Sequence, residues 1–470
     1  MDKVAILGGG PSAFYVASRL LSRVPADRNR NLAVHMFDRL WSPHGLVRYG
    51  VAPDHPEVKN CTHKFDELAK DARFRYFGNV QVGPASGRPI PHVVRLPFDE
   101  IPRSYTHLVL APGCPIPTTH PALPLSSRVI PALDLVHWYT QHPTHPHAPP
   151  LDGARHVTII GQGNVALDVA RMLLTSPDVL ATYDVPLSVL EGLRTSAVEH
   201  VSIVGRRGPL QAAFTTKEAR ELMTISDASM ALLDPVLLVP SADTKLSRQQ
   251  TRVLDLLRKG STTKSGTTKK TWSLDFFRAP TGIQESESRL RLSLAHTTLD
   301  AGLRAVATGA TSALETDLVV TALGQQLDPS TPFYDDATRR IPVNASGNVL
   351  HPSGRPFKNV YASGWAAMGA RGVLASTMIN AYNVADNLAA SLLGSDSLSP
   401  NFEEIMEKDV DPAPPALVRE ELEKGNVMSY EDWKIIDAEE VRKGAEMGKE
   451  RERMGWEGAK AFLAASKTRA

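Results

Sequence analysis

The amino-acid sequence predicts an α/β protein with two parallel-sheet units and a helical C-terminal extension. A short apolar run, a glycine turn and a helix follow one another around Gly8–Gly10, and the same order recurs around Gly161–Gly163. Beyond about Leu398 the composition becomes polar, with helical patterns near 415–424 and 437–455. A chain of 470 residues is long enough to bury the cores that such units require.

Composition excludes several classes of protein. The 52 basic and 51 acidic residues leave a formal net charge of +1, so no nucleic-acid partner is expected. The two cysteines, Cys61 and Cys114, form no CxxC pair, which excludes a zinc ribbon, a dithiol redox centre and a cysteine-ligated cluster. No run of about 20 apolar residues predicts a membrane span. The first strand is predicted from Lys3 or Val4, so no targeting segment is visible.

The first unit begins with a strand at 4–7, continues as a helix over 12–21 and returns as a second strand at 32–37. The turn before the helix has the pattern Gly-x-Gly-x-x-Ala, from Gly8 to Ala13. The first glycine permits a tight turn, the second lets the backbone approach a pyrophosphate, and the small third residue lets the helix pack on the strand. The alternative is a glycine turn of the kind found in any α/β protein.

An acidic residue, Asp38, ends the second strand of this unit, where a carboxylate can accept hydrogen bonds from a ribose. It lies 30 positions after Gly8, farther than the spacing of about 20 in the simple fingerprint. A long link between helix and strand, Ser22 to Asn31, accounts for the difference.

The second unit repeats this order, with a strand at 156–160, a helix over 164–174 and a partner strand at 200–204. This partner strand is followed by Arg206 and Arg207 instead of an acid. Two guanidinium groups at a strand end can bind a 2′-phosphate through paired hydrogen bonds, so the site is predicted to prefer NADP over NAD. The alternative is a solvated charge on a loop.

One site with an acid and one with two arginines suggest FAD in the first unit and NADPH in the second. A flavin takes up two electrons as a hydride and releases them singly. Two such cofactors on one chain predict an electron relay.

Longer motifs then become specific. Residues 45–60 closely resemble the stretch after the FAD unit of adrenodoxin reductases, the mitochondrial NADPH:ferredoxin oxidoreductases with bacterial relatives. Residues 161–171 resemble the NADP motif of that family, and residues 204–215 match it too. The resemblance runs from about Val4 to Leu392, and residues 429–433 resemble the extension of fungal members more weakly.

The resemblance implies two Rossmann-like domains in a glutathione-reductase-like arrangement, with a discontinuous FAD domain. The implied boundaries are 1–115 and 325–397 for the FAD domain, 116–324 for the NADP domain and 398–470 for the C-terminal extension.

The resemblance also implies roles for matching residues. The implied flavin contacts are Gly8, Gly10, Ser12, Ala13, Asp38, Leu46, Val82, Trp365, Gly372, Val373 and Leu374. The implied NADP contacts are Gln162, Gly163, Asn164, Val165, Arg206, Arg207 and Glu218, with Gly372 near the nicotinamide. His55 and Asp168 match polar residues beside the flavin and are the implied catalytic pair. Without the motif, His55 would be interpreted as a turn histidine before Pro56, and Trp365 as a core aromatic.

The sequence departs from the family pattern at three places. Ala13 stands where many members have glycine, and the segment after Gly113 lacks the usual Ile-Pro-Gly. The loop 366–372 lacks the basic pair and the Gly-Pro-Thr-Gly of other members. This loop is expected to lie beside both cofactors. Its altered sequence therefore leaves a second function open, namely a scaffold that binds the cofactors but turns over weakly.

The implied partner is an acidic [2Fe–2S] ferredoxin that serves cytochrome P450 or iron–sulfur assembly, and its docking site should be basic. Arg248 and Arg252 are four apart in a helical segment, and Arg220 lies on the helix after the arginine pair. These three match positions that bind adrenodoxin in the family; the alternative is an ordinary solvated basic helix. The family further implies a monomer in the mitochondrial matrix, with at most peripheral association with the inner membrane.

Other sites and activities are less well supported. Four histidines, His137, His142, His145 and His147, could suggest a metal cluster, but interleaved prolines favour a loop and no metal is predicted. A disulfide reductase needs a dithiol, and a glutamate-synthase-type subunit needs cysteine-rich cluster motifs. A flavin monooxygenase would require a substrate pocket beside the flavin.

Overall fold

The computed structural model shows an α/β protein. The structure describes residues 1–27, 31–144, 147–240, 245–287, 289–394, 402–408 and 410–469.

The strands, in chain order, are β1 Asp2–Leu7, β2 Leu32–Asp38, β3 Phe74–Gly78, β4 Val80–Val82, β5 Val94–Leu96, β6 His107–Leu110, β7 Ile116–Pro117, β8 Val129–Pro131, β9 His156–Ile160, β10 His200–Val204, β11 Ala228–Met230, β12 Lys270–Asp275, β13 Arg278–Glu285, β14 Leu290–Leu299, β15 Ala305–Thr316, β16 Leu318–Thr321, β17 Gln325–Gln326, β18 Asn348–Leu350 and β19 Pro356–Ala362.

The helices are α1 Pro11–Arg23, α2 Leu46–Tyr49, α3 Thr62–Leu68, α4 Glu100–Ser104, α5 Ala132–Tyr139, α6 Asn164–Leu174, α7 Pro177–Leu180, α8 Leu187–Arg194, α9 Thr216–Met223, α10 Arg248–Lys259, α11 Trp365–Met368, α12 Leu374–Leu392, α13 Ala416–Glu423, α14 Tyr430–Glu446 and α15 Trp456–Arg469. No helix of these described ranges is both long enough and apolar enough to cross a membrane.

The first sheet has the order β18-β19-β6-β1-β2-β3, with all neighbours parallel except the β18–β19 pair. Its central strand β1 is apolar on both faces: Val4 and Ile6 pack into one core, and Ala5 and Leu7 into another. Helices cover both faces of such a sheet, which explains its continuous apolar strands. Strands β18 and β19, from late in the chain, complete this sheet beside β6.

The second sheet is entirely parallel, with the order β11-β12-β10-β9-β16-β8. Strands β9 and β10 and helix α6 have the bounds that the sequence predicts. Their local signals are strong, because apolar runs end at glycine turns and α6 has a continuous apolar face.

A three-stranded antiparallel sheet, β13-β14-β15, was not predicted. The sequence predicts one strand over 314–323, whereas the structure has β15 ending at Thr316 and β16 beginning at Leu318. Asp317 separates them, and its carboxylate accepts the N–H groups of Arg155 and His156 over 2.9 and 2.8 Å. These hydrogen bonds join the antiparallel sheet to the parallel one. No local sequence pattern predicts them, because the two partners are far apart in the chain.

The C-terminal segment is helical, as predicted, and it contributes side chains to the core of the first unit. Trp433 and Ile436 of α14 and Trp456 of α15 are buried in the same core as Phe14 of α1. The predicted helix over 437–455 is wrong in its second half, because α14 ends at Glu446. Nearby, Gly448 has a φ of +70°, and the chain folds back, so that Lys449 N–H donates to Gly444 O over 3.0 Å.

Candidate active site

The turn between β1 and α1 is shaped for a phosphate group. Gly8 has a φ of +114°, and a Cβ there would overlap the carbonyl oxygen of Ala111 after β6. Gly10 immediately precedes α1, and a Cβ at this position would meet no atom within 4 Å. The first turn of the helix adds unpaired N–H groups and a positive dipole end. This geometry fits the pyrophosphate of a dinucleotide.

The turn between β9 and α6 has the same geometry. Gly161 has a φ of +128°, and a Cβ there would overlap the carbonyl oxygen of Ala322 after β16. Gly163, directly before α6, again has nothing within 4 Å of a Cβ position. The chain therefore contains two equivalent phosphate-sized openings, one in each parallel sheet.

Asp38 ends β2 beside the first turn. Its side chain is buried, and Leu40 N–H donates to its Oδ1 atom over 3.1 Å. Burial raises the pKa of Asp38 to about 7 despite the backbone hydrogen bonds. Ribose hydroxyl groups, which can donate hydrogen bonds to a carboxylate, would offset this cost of burial. Asp38 therefore fits the predicted role of a ribose acceptor.

One cleft joins the two units. The predicted cofactor residues that line it are Gly8, Gly10, Ser12, Asp38, Leu46, Val82, Val165, Trp365 and Leu374. Val165 belongs to α6, so a side chain of the second unit reaches the cleft beside the first turn.

The remaining predicted cofactor residues lie outside the cleft lining. Ala13 is buried in α1, where its small side chain allows close packing. Residues 162–164 form the second glycine turn and the start of α6. Gly372 and Val373 immediately precede α12, and Val373 is 58% exposed.

Several residues of the cleft were missed by the sequence analysis, namely Arg39, Tyr49, Gln81, Cys114, His137, His142 and Thr377. Two of them follow the ends of strands: Arg39 after β2 and Cys114 after β6. Because ligands of parallel sheets bind at the carboxyl ends of strands, this position was an available signal. The histidines come from the far side of the cleft, and only the tertiary fold brings them there.

The late part of the chain reaches the first turn through Ser363 and Gly364. The hydroxyl groups of Ser12 and Ser363 lie 2.8 Å apart, and Gly364 N–H donates to Asn380 Oδ1 over 2.8 Å. Gly364 has a φ of +67°, and a Cβ there would overlap Ser12. This close approach places Trp365, the next residue, in the cleft wall.

His55 lies at the interface between the two units. It is buried, and its Nε2 atom is 2.6 Å from Oε2 of Glu221 on α9. Glu221 was not singled out by the sequence analysis, because it lies 166 positions from His55.

Asp168 belongs to the same interface, through Arg171. The Arg171 guanidinium contacts Asp168 over 2.9 Å and both oxygens of Asp54 over 2.5 and 3.0 Å. Burial raises the pKa of Asp168, with Arg171 opposing it. Burial also acts to raise the pKa of Asp54, but the hydrogen bonds and the positive charge of Arg171, together with smaller contributions, lower it on balance. Neither His55 nor Asp168 lines the cleft.

The arginine pair after β10 is exposed. Neither guanidinium of Arg206 or Arg207 has a hydrogen-bond or ion-pair partner in the part of the chain that the structure describes. The turn beside them is held by Gln162, whose Nε2 donates to Ile203 O over 3.0 Å. Glu218 lies in the first turn of α9, where it accepts a hydrogen bond from the Thr215 hydroxyl.

The three predicted partner-binding arginines are exposed. Arg248 and Arg252 lie on α10, which buries Val253, Leu254 and Leu257 on its other face. Arg220 lies on α9, whose buried residues are likewise on the opposite side.

Two of the four histidines considered as metal ligands contact each other instead. His137 stacks on His142 with the ring centroids 3.7 Å apart, and both line the cleft. His147 is exposed, and His145 lies outside the described residues. Over the described ranges, no group of three or more His, Cys, Asp or Glu side chains could hold a metal ion.

Similar proteins were found by sequence and by structure, although no family model matches the chain. The mitochondrial NADPH:adrenodoxin oxidoreductase of Salvelinus fontinalis is 35% identical over 477 residues, covering 96% of this chain and 89% of the relative. The NADPH-ferredoxin reductase FprA of Mycobacterium leprae is 37% identical over 410 residues, covering 83% and 84%. The structure of Mycobacterium tuberculosis FprA in complex with NADPH has a TM-score of 0.83 and 31% identity, covering 99% of both chains. The C-terminal segment is therefore included in the shared fold.

Proposed function

Because this chain belongs to the adrenodoxin reductase family, we propose that it is an FAD-dependent NADPH:ferredoxin oxidoreductase. The observation that carries this conclusion is the pair of equivalent glycine turns, one beside a buried acid that lines a cleft between the units and one beside two exposed arginines. When bound, FAD accepts a hydride and returns its electrons singly. The protein's task is to bind and orient both cofactors and to exclude water.

Individual residues divide this task. Gly10 and Gly163 leave space for phosphates, and Asp38 accepts hydrogen bonds from a ribose. Arg206 and Arg207 bind the 2′-phosphate that separates NADPH from NADH. Trp365 and its neighbours close the apolar side of the cleft against water.

We assign His55 and Asp168 to the part of the site beside the flavin, as the catalytic pair. Each is held by a charged partner: His55 by Glu221 of α9, and Asp168 by Arg171 one turn along the same helix. Such partners fix the orientation of a side chain and hold a proton or a charge at a defined atom.

The proposal also covers the electron acceptor, the location and the oligomeric state. The electron acceptor is a [2Fe–2S] ferredoxin that serves cytochrome P450 or iron–sulfur assembly, and the mitochondrial relatives support a mitochondrial location. The protein acts as a monomer with at most peripheral contact with the inner membrane.

We further propose a division of the chain into cofactor domains. Residues 1–115 and 325–397 hold FAD, residues 116–324 hold NADPH, and residues 398–470 form the extension. The membership of β18 and β19 in the first sheet supports the discontinuity, while the boundary at 397 lies outside the described residues.

The weak-turnover scaffold rests on the altered loop 366–372. In the structure Gly372 retains a φ of +87° directly before α12, so the backbone turn itself is formed. Stopped-flow mixing with NADPH separates the two functions, because an enzyme bleaches its flavin absorbance rapidly and a scaffold does not.

The proposed activity is tested with the purified yellow holoenzyme. Cytochrome c should be reduced by NADPH rapidly only when a [2Fe–2S] ferredoxin is added, since cytochrome c then receives electrons through the ferredoxin. Equal rates with and without ferredoxin would contradict the relay. Oxygen uptake coupled to oxidation of an organic substrate would instead indicate a monooxygenase.

Reversing the charge of the α10 arginines should weaken ferredoxin docking. For Arg248→Glu combined with Arg252→Glu, we expect kcat/KM for ferredoxin to fall by about tenfold or more at low salt, because an acidic partner is steered by the basic face. The difference from wild type should shrink as ionic strength rises. Ferredoxin-dependent cytochrome c reduction measured over a salt series checks this.

The control reverses two exposed charges elsewhere, Arg95→Glu with Arg340→Glu. It should leave kcat/KM for ferredoxin close to wild type. Equal losses in both double variants would mean that overall charge, not the α10 face, governs the encounter. Flavin bleaching by NADPH should be unchanged in both.

A further inference from the structure

The non-helical stretch between α14 and α15, residues 447–455, crosses the junction of the two parallel-sheet units; we call it the strap. Towards the second unit, Glu450 N–H donates to Thr182 O over 3.1 Å, and Glu452 Oε1 accepts the Leu187 N–H over 3.2 Å. Towards the first unit, Trp456, the first residue of α15 directly after the strap, stacks on His92, with the ring centroids 4.3 Å apart. The strap is thus fastened at both sides.

Arg453 lies at the centre of the strap, and its side chain is only 1% exposed. Its Nη1 atom donates to two main-chain carbonyls, Arg48 O over 2.8 Å and Thr140 O over 2.6 Å. Its Nη2 atom lies 2.6 Å from Oδ2 of Asp184, a carboxylate that also pairs with Lys59 over 2.9 Å. One guanidinium therefore joins three separate segments of the chain.

The two segments that carry these carbonyls both contribute residues to the cofactor cleft, and they touch each other, since the Thr140 hydroxyl donates to Tyr49 O over 3.2 Å. Arg48 lies in α2, and its neighbour Tyr49 lines the cleft on the side of the first unit. Thr140 follows α5, whose residues Val136 and His137 line the cleft on the side of the second unit. By binding both carbonyls, Arg453 ties these two segments to the strap.

The wall formed by α2 is braced again by the C-terminal segment. Arg48 makes a two-point ion pair with Glu440 of α14, at 2.7 and 3.0 Å, with both side chains almost fully buried. Glu440 Oε1 also accepts the N–H of Met454, the residue after Arg453. The strap and α2 are consequently held by the same carboxylate.

We propose that Arg453 is a positioning residue, which sets the width of the cofactor cleft and hence the approach of NADPH to FAD. The expected effect on the reaction of NADPH with FAD rests on the proposed function, whereas the effect on cleft width does not. A planar guanidinium that binds two carbonyls and a carboxylate at fixed angles cannot be replaced by the single ammonium of lysine. Because hydride transfer depends steeply on the geometry of approach, a small change in cleft width should slow it strongly.

The test compares Arg453→Gln and Arg453→Lys holoenzymes with Arg442→Gln, an exposed arginine of α14. Flavin content and absorption spectrum report cofactor binding, and stopped-flow bleaching by NADPH reports hydride transfer. Pulsed electron-spin measurements between spin labels at Arg95→Cys and Gln249→Cys, in a Cys61→Ser background, report the separation of the units.

For Arg453→Gln we expect bound flavin, bleaching at least tenfold slower and a broadened label distance, with Arg453→Lys intermediate and Arg442→Gln like wild type. Bleaching within twofold of wild type together with an unchanged distance distribution would overturn the proposal. If Arg453→Gln does not fold, Asp184→Asn should show the same changes in weaker form; unfolding of both variants would assign Arg453 to stability alone and also overturn it. If wild type itself fails to bleach, the proposed function is wrong, while the distance measurement still tests the positioning role.

Discussion

Replacing Gly10 by valine is expected to yield a folded protein that is colourless. Gly10 has a φ of −87° and a ψ of −179°, which any residue adopts, and nothing lies within 4 Å of its Cβ position. A valine side chain is therefore tolerated by the apoprotein, but it occupies the space that the pyrophosphate of FAD requires. FAD affinity should fall by about 100-fold or more, and activity with it. The ratio of flavin to protein absorbance and the thermal melting temperature measure the two effects separately.

Two other glycines provide matched comparisons. Gly153→Val, in an exposed loop with equally open surroundings, should retain both flavin and stability. Gly8→Val should impair folding itself, because Gly8 has a positive φ and abuts the Ala111 carbonyl. A Gly10→Val protein that keeps stoichiometric flavin would show that the first turn does not hold the cofactor phosphates.

Replacing both Arg206 and Arg207 by glutamine is expected to abolish most of the preference for NADPH. Hydrogen bonds to charged groups contribute about 1.5–3 kcal/mol each, so losing two should lower kcat/KM for NADPH by about 100- to 10,000-fold. NADH lacks the 2′-phosphate, and its kcat/KM should change little. Because both guanidinium groups are exposed without partners in the described part of the chain, the fold should be unaffected.

The measurement is the ratio of kcat/KM for the two nucleotides, with the NADH rate as the internal control for general damage. Arg95→Gln, another exposed arginine, should leave that ratio unchanged. An unaltered ratio in the double variant would mean that the 2′-phosphate is bound elsewhere.

Local signals account for what the sequence predicts well. The bounds of β9, α6 and β10 follow from apolar runs that end at glycines, and the same pattern locates both phosphate openings. A carboxylate at the end of β2 and arginines after β10 predict which opening takes which nucleotide, because both lie next to their turn in the fold.

Contacts between distant segments account for what the sequence does not predict. The pairing of His55 with Glu221 joins α9 to a loop far earlier in the chain, and no spacing rule connects them. The end of α14 is set by the close approach of Gly444 to Arg451, which only the folded chain reveals. Cleft residues such as His137 and His142 are likewise brought to the site by packing of α5 against the first unit.

The integration of the last helices into the first core has a consequence for biosynthesis. The second sheet uses only residues between Val129 and Thr321, so it can assemble while the ribosome is still adding the remainder. The first sheet must wait for β19, and its core for Trp433 and Trp456. The N-terminal half of the nascent chain therefore stays without a complete core until the segments from β19 to Trp456 have been synthesised.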